Sequence, residues 1–452
     1  MIRALSDADP ALRRTIAKFL GQRGDPRAAS ALAACLLDPE PSVRASAVHS
    51  LGALRRPESR EPLERTLDDP DPRVREQAAW ALWVIGDPRS TPALVAHGGD
   101  PAPEVRWTVA AALGRMREPT ANAALRLLLD DPNDRVRREV VLALGASDDP
   151  TASDLLRPRF QDEARRVRTA TAIVMGRRRD GASVPILLER ATGPDPWERP
   201  AAIVALGRIG DPSASDLLAQ ASNDPAHYIR VCALHALGEM RSDRARAAAL
   251  ARVGDRSWAV RGAAAVCLGQ VGTPLELPVL LAFLEDRHPW PRSAAIYALG
   301  QLGLVEAVPR IREELNHPIA DVRLAAIWSL GQLKDDGARS DLVRLLERDP
   351  HEEREGTPTL LAEGDGAIRL ASDAESRIFD TVVQALGRLR RSEDDPYIED
   401  ALAEARARLT DEELDRLARL PSTEALLNPP IPTLRALFER ALPSETHEGE
   451  VG

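Results

Sequence analysis

Side chains able to do chemistry occur in this 452-residue sequence, but not at the spacings that catalysis needs. The eight histidines are scattered, and His227 and His235 stand eight apart, which gives no i, i+4 pair for a metal on one helix face. Cys35, Cys232 and Cys267 lie far apart with no C-x-x-C pair. They indicate neither a zinc site nor a disulfide framework, and a reducing compartment is expected. No G-x-S-x-G, P-loop or dinucleotide fingerprint appears. These residues nominate no catalytic group, no metal and no cofactor. The chemistry left is recognition, by rings, amides and guanidinium groups that recur at fixed intervals.

That interval is 31 residues. The phrase A-L-G, or a close variant, places glycines at Gly21, Gly52, Gly114, Gly145, Gly176, Gly207, Gly238, Gly269, Gly300 and Gly331, with Trp83 in the one missing slot. Eight residues before each slot stands an arginine: Arg13, Arg44, Arg75, Arg106, Arg137, Arg168, Arg199, Arg230, Arg261, Arg292 and Arg323. Fourteen before it stands an aspartate, usually followed by proline, except at Gly193 and His317.

Each unit predicts two short helices. Asp-Pro stops the first, because proline lacks an amide proton and restricts the residue before it, and an N-capping carboxylate is expected to open the second, helix B. Helix B carries apolar or small residues nine, five, four, two and one positions before the slot, as in Val105, Val109, Ala110, Ala112 and Leu113. At 100° per residue these form one broad face, which a single unit cannot bury but stacked neighbours can.

The D-P-x-x-x-V-R-x-x-A-x-x-A-L-G phrases, such as Asp100 to Gly114 and Asp131 to Gly145, resemble HEAT repeats, specifically the short HEAT-like class of the phycobilisome-lyase type. The resemblance implies an all-α fold, a right-handed α-solenoid (superhelix) of about twelve 31-residue repeats, with Asp and Arg columns similar to the inter-repeat ladders of that family and B helices lining a concave surface. It says little of function. The HEAT enzyme deoxyhypusine hydroxylase holds iron through His-Glu dipeptides on its helices. Here these occur only at His351-Glu352 and His447-Glu448, outside the regular repeats.

After Gly331 the next matching glycine is Gly387, a gap of 56, so about 25 residues are inserted. The expected organisation is a repeat array over 1–348, an acidic insertion loop over 349–376, a final B helix over 377–391, and an acidic helical cap with a disordered tail over 392–452. The insertion holds eight acidic and two basic residues, and the terminal segment fifteen and six. The chain's net charge of −10 therefore conceals repeats that are slightly basic, most so over 135–208, where 14 arginines face 10 acids. No run approaches the roughly 18 apolar residues that span a bilayer, so no membrane partner and a cytoplasmic location are expected.

Positions ten, seven and three before the slot, and one after it, lie opposite the apolar face. These 44 positions hold seven of the chain's ten Trp and Tyr: Trp80, Trp107, Trp197, Tyr228, Trp290, Tyr297 and Trp328. About one would fall there by chance. Exposed indoles have no folding rationale, so this ridge reads as a contact surface. Gln270, Gln301 and Gln332 follow three successive slots, where amides can pair with the backbone of an extended peptide. Arg115, Arg135, Arg138, Arg166, Arg177 and Arg208 populate the ridge upstream, suited to carboxylates or phosphates.

The function expected is a non-catalytic protein–protein interaction scaffold or adaptor, with an extended or acidic segment of a protein partner along the ridge. Two alternatives stay open: nucleic-acid binding of the kind the family's DNA glycosylases perform, through the basic section, and a phycobilin-lyase-like subunit.

Overall fold

The computed structural model describes Leu5 and residues 7–342. The end of the array, the insertion 349–376, the final B helix 377–391 and the segment 392–452 lie outside the described residues. The chain forms two compact units, 1–205 and 206–452. Among the described residues there is no strand. Eleven B helices follow one another: α1 Pro10–Gln22, α2 Pro41–Leu54, α3 Pro72–Ile85, α4 Pro103–Met116, α5 Asp134–Ala146, α6 Arg165–Arg177, α7 Glu198–Ile209, α8 His227–Glu239, α9 Trp258–Val271, α10 Pro289–Gln301 and α11 Ala320–Gln332. Between them run the shorter A helices, most opened by a single 3-10 turn, such as Pro57–Ser59 before Arg60–Thr66. This is an α-solenoid of HEAT-like repeats, as the period predicts.

Packing within each unit follows the apolar pattern. Helix Arg60–Thr66 lies on α3, and α3 on α4. Val105, Val109, Ala110, Ala112 and Leu113 of α4 are completely buried. Glycine holds the slot because consecutive B helices nearly touch there. A Cβ on Gly114 would lie 2.5 Å from the Ala143 Cβ, and one on Gly176 would lie 2.7 Å from the Ala205 Cα. The partner is two residues before the next slot, where Ala81, Ala143, Ala205, Ala236 and Ala298 keep the approach open.

The aspartate column does not cap helix B, contrary to expectation. Its carboxylate closes the preceding turn: Asp38 Oδ1 accepts from the Glu40 N–H at 2.9 Å and Asp131 Oδ1 from the Asn133 N–H at 2.8 Å. The N-cap falls two residues later, on Asp71 in α3 and Asn133 in α5. With one oxygen tied to its turn, the column aspartate at most steps turns both oxygens to the arginine 25 residues earlier. Arg44 Nε and Nη2 each donate to Asp69 at 2.7 Å, while Arg44 Nη1 donates to the Asp38 carbonyl at 2.9 Å. One guanidinium thus binds its own turn and the next repeat. The fork repeats at Arg13–Asp38, Arg75–Asp100, Arg106–Asp131 and Arg137–Asp162 in the first unit, and at Arg261–Asp286 in the second. Arg230 reaches Asp255 through Nη2 alone, at 2.7 Å. Burial pushes the Asp131 carboxyl up, but the Arg106 hydrogen bond, the Asn133 N–H and the charges of Arg106 and Arg137 together hold it below its ordinary value.

Both departures in the column alter the ladder. Where Gly193 replaces aspartate, Arg168 Nε donates to Glu198 Oε1 at 2.7 Å instead. Where His317 does, Arg292 turns its Nε to the Asp286 carbonyl at 2.5 Å. His317 imitates the turn-closing part of the aspartate's role, its Nδ1 accepting from the Ile319 N–H at 3.1 Å. Burial, followed by the Arg292 charge, lowers its pKa, and the Arg323 charge acts the same way.

Two predictions follow from this packing. Gly176→Ala forces α6 and α7 apart and costs about 1–3 kcal/mol, read as a lower denaturation midpoint. His317 has a folded-state pKa below its ordinary value of about 6.5, so the stability its neutral ring contributes is complete above that value and lost as pH falls through the lowered one. His317→Asp supplies the carboxylate that Arg292 lacks. The variant should melt higher at neutral pH and lose less stability than the parent between pH 7 and 5, measured by thermal unfolding.

Candidate partner-binding ridge

The first unit keeps much of its ridge open to solvent. Trp107 on α4 is 40% exposed and its indole N–H donates to Glu139 Oε2 at 3.2 Å. Trp80 on α3 is half-buried and stacks on His49 of α2, centroids 4.5 Å apart and planes 4° from parallel. Trp197 is half-buried under the Arg165 guanidinium, 5.4 Å from its ring centre. Each ring is therefore braced by a polar side chain of a neighbouring repeat, which fixes its orientation at little entropic cost on binding.

Sequence columns missed one member of this surface. Trp83, in the slot otherwise held by glycine, is 37% exposed and lies 5.2 Å below the Arg115 guanidinium. Its signal was the single gap in the glycine series. Glu76 is half-buried on the same helix, and burial, then the Glu104 charge, raises its pKa.

The arginine bank is exposed at Arg115, Arg135, Arg138, Arg166 and Arg177, and half-buried at Arg208. Arg166 pairs with Asp134 at 3.1 Å and Arg138 approaches Glu139 at 3.9 Å. Arg135 and Arg177 carry no ion pair among the described residues. They are the cations freest to meet an anion.

The second unit departs from the expected exposure. Trp290, Tyr297 and Trp328 are buried, with 4%, 2% and 3% of their surface exposed. Trp290 lies down on Gly262 of α9, so close that a Cβ there would collide with its indole nitrogen. Tyr297 and Trp328 meet edge to face, centroids 5.3 Å apart. Rings on adjacent helices pack on each other and on a glycine instead of standing upright, which removes apolar surface from water. Tyr228 is half-buried beside His227, and the glutamines differ: Gln301 exposed, Gln270 and Gln332 half-buried. Gln270 Oε1 and Gln301 Oε1 lie against Gly238 and Gly269 of the preceding B helices.

Little else offers reactivity. Burial pushes the Cys232 and Cys267 thiols up to about 12, so both are protonated at neutral pH. Among the described residues no three His, Cys, Asp or Glu side chains gather as a metal site, and no helix is long and apolar enough to cross a membrane.

The HEAT-repeat family profile matches residues 1–52, 34–102, 96–176, 160–233, 216–299 and 277–357. The chain belongs to the HEAT-repeat family. No curated protein matches this HEAT protein significantly in sequence. Among solved structures, yeast importin-beta is similar over 90% of this chain and 65% of its own, at 14% identity and a TM-score of 0.52, which shows the shared fold. The complex of CpcE and CpcF of phycocyanin lyase from Nostoc is 24% identical, covering 55% of this chain and 90% of its own, with a TM-score of 0.32. YibA of E. coli is 22% identical over 53% of this chain and 90% of its own, with a TM-score of 0.42.

The two kinds of ridge tryptophan should respond differently to truncation. Trp290→Ala should cost about 3–5 kcal/mol in denaturant unfolding, as for a core ring. Trp107→Ala should stay within about 0.5 kcal/mol, as for a surface change.

Proposed function

We propose that this HEAT-repeat chain is a non-catalytic scaffold that binds an extended, acidic segment of a protein partner along the B-helix ridge of its first unit. The observation that supports this most directly is the row of braced, partly exposed rings, Trp80, Trp83, Trp107 and Trp197, with the unpaired cations Arg135 and Arg177 on the same ridge. Rings offer apolar shelves with little rotamer entropy to lose, and guanidinium forks suit carboxylates. The buried rings of the second unit are left out of this surface. Arg115 serves by steadying Trp83, and Arg138 and Arg166 would exchange Glu139 and Asp134 for the partner's carboxylates.

The test is selection of extended peptides from a displayed library on the full chain, followed by calorimetry. The reading predicts acidic peptides interrupted by apolar residues, with Trp80→Ala plus Trp107→Ala weakening binding at least about tenfold and leaving the melting temperature nearly unchanged. Arg135→Glu plus Arg177→Glu should weaken the same peptides. Selection of no acidic peptide, together with tight oligonucleotide binding that falls steeply with salt, would favour the nucleic-acid reading instead.

A further inference from the structure

The residue three past the slot ends helix B, and at nine of these positions its backbone is left-handed. Glycine, which takes positive φ freely, serves at Gly24, Gly86, Gly210 and Gly303. The other five are Arg55, Arg117, Arg179, Arg241 and Lys334, with φ between 49° and 54°. Such backbone strains a residue that has a Cβ, and Asn or Asp are the non-glycine residues that accept it most readily. All five here are cations, although Lys and Arg make up only 60 of the 452 residues, so composition does not account for them. All five side chains are exposed. A cation at this end of a helix can bond the last carbonyls, but none of the five side chains does so, and none pairs with a carboxylate among the described residues. The helix dipole is served as well by a cation in the last turn with ordinary backbone, as at Arg115 and Arg177. A charge kept at a strained position and unused within the fold is available to something outside it.

We propose that Arg55, Arg117 and Arg179, at the ends of α2, α4 and α6 in the first unit, form a charge track that receives carboxylates of the partner's acidic segment at every second repeat. This rests on the acidic-segment reading above and gives that segment a register. The steps between are closed to a carboxylate. Beyond α3 the place is Gly86, and the Arg115 guanidinium lies over it, so close that a Cβ there would stand 2.7 Å from its Nε, while also covering the Trp83 ring. Beyond α5 it is Asp148, exposed and of the wrong sign. The nearest guanidinium there, Arg178, is spent on the Ser147 and Asp149 carbonyls at 2.9 and 2.7 Å. Helices packed about 8–10 Å apart put the free arginines about 16–20 Å from one another. An extended chain rises about 3.3 Å per residue, so the matching carboxylates are about five or six residues apart. Trp83 under Arg115 joins this edge to the ring-bearing ridge, and the residues between the carboxylates can therefore reach the rings.

Fluorescence anisotropy with two labelled peptides of one composition tests the track. Each carries three glutamates among leucine and serine; one has them about six residues apart, as the track requires, and the other has them adjacent. The full chain should bind the spaced peptide at least about tenfold more tightly than its isomer. The variant with Arg55→Gly, Arg117→Gly and Arg179→Gly should bind both alike and melt no lower than the parent, because glycine accepts the left-handed backbone without strain. A lower melting temperature with the preference for spaced glutamates intact would give the arginines a structural role and overturn the proposal. Equal affinity of the parent for both peptides, each weakened by Trp80→Ala plus Trp107→Ala, would overturn the track and leave the ridge reading standing. Binding of neither peptide would overturn it too, whereas acidic peptides selected from the displayed library would still uphold the ridge.

Discussion

One guanidinium bonded to two repeats is the interaction on which the rest of the structure depends. At six steps the ladder arginine holds both oxygens of the next aspartate, and it also holds the carbonyl of its own turn, as Arg106 does with Asp100 and Asp131. That fixes the step between repeats, so the slot glycine closely approaches the next B helix, against alanine at Gly52, Gly114, Gly176, Gly207 and Gly269 and against serine at Gly21 and Gly300. A shielded pair of this kind is costly to break, because the partner left behind is an uncompensated charge. Bridging consecutive repeats at a constant 25-residue offset, the pair also fixes register, which places ridge residues 31 apart side by side.

Much of this was legible in the sequence. The 31-residue period gave the two-helix unit, the buried face of helix B and the partner columns of the ladder, because each depends on contacts that recur identically in every repeat. The capping role of the aspartate was misread for a local reason: a carboxylate before proline can cap a helix or close a turn, and only backbone geometry separates the two. The exposure of Trp290, Tyr297 and Trp328 was misread for a tertiary one. Periodicity assigns a residue to a helix face, but whether that face is wet depends on neighbours such as Gly262. Trp83 stands in a glycine slot and not in one of the four ridge columns, so the column argument does not place it on the ridge.

The two units thus treat one column pattern differently. In the first, each ring has a polar neighbour that holds it at the surface: His49 for Trp80, Glu139 for Trp107, Arg115 for Trp83. In the second, Trp290 finds a glycine, and Tyr297 and Trp328 find each other. A surface whose rings are oriented before a partner arrives loses less entropy on binding, and its selectivity is set by the charges beside them. Repeats of one sequence pattern can therefore leave a ring partly exposed in one segment and bury it in another, with neighbouring side chains deciding which.

Fluorine NMR of the full chain carrying fluorinated tryptophan examines the proposed function most directly, because each indole reports separately. On addition of a selected acidic peptide, the account predicts that the Trp80, Trp83 and Trp107 signals move together and that the signal of buried Trp290 stays in place. Movement of Trp290 with the first three unchanged, or saturable binding that moves none of them, would contradict it.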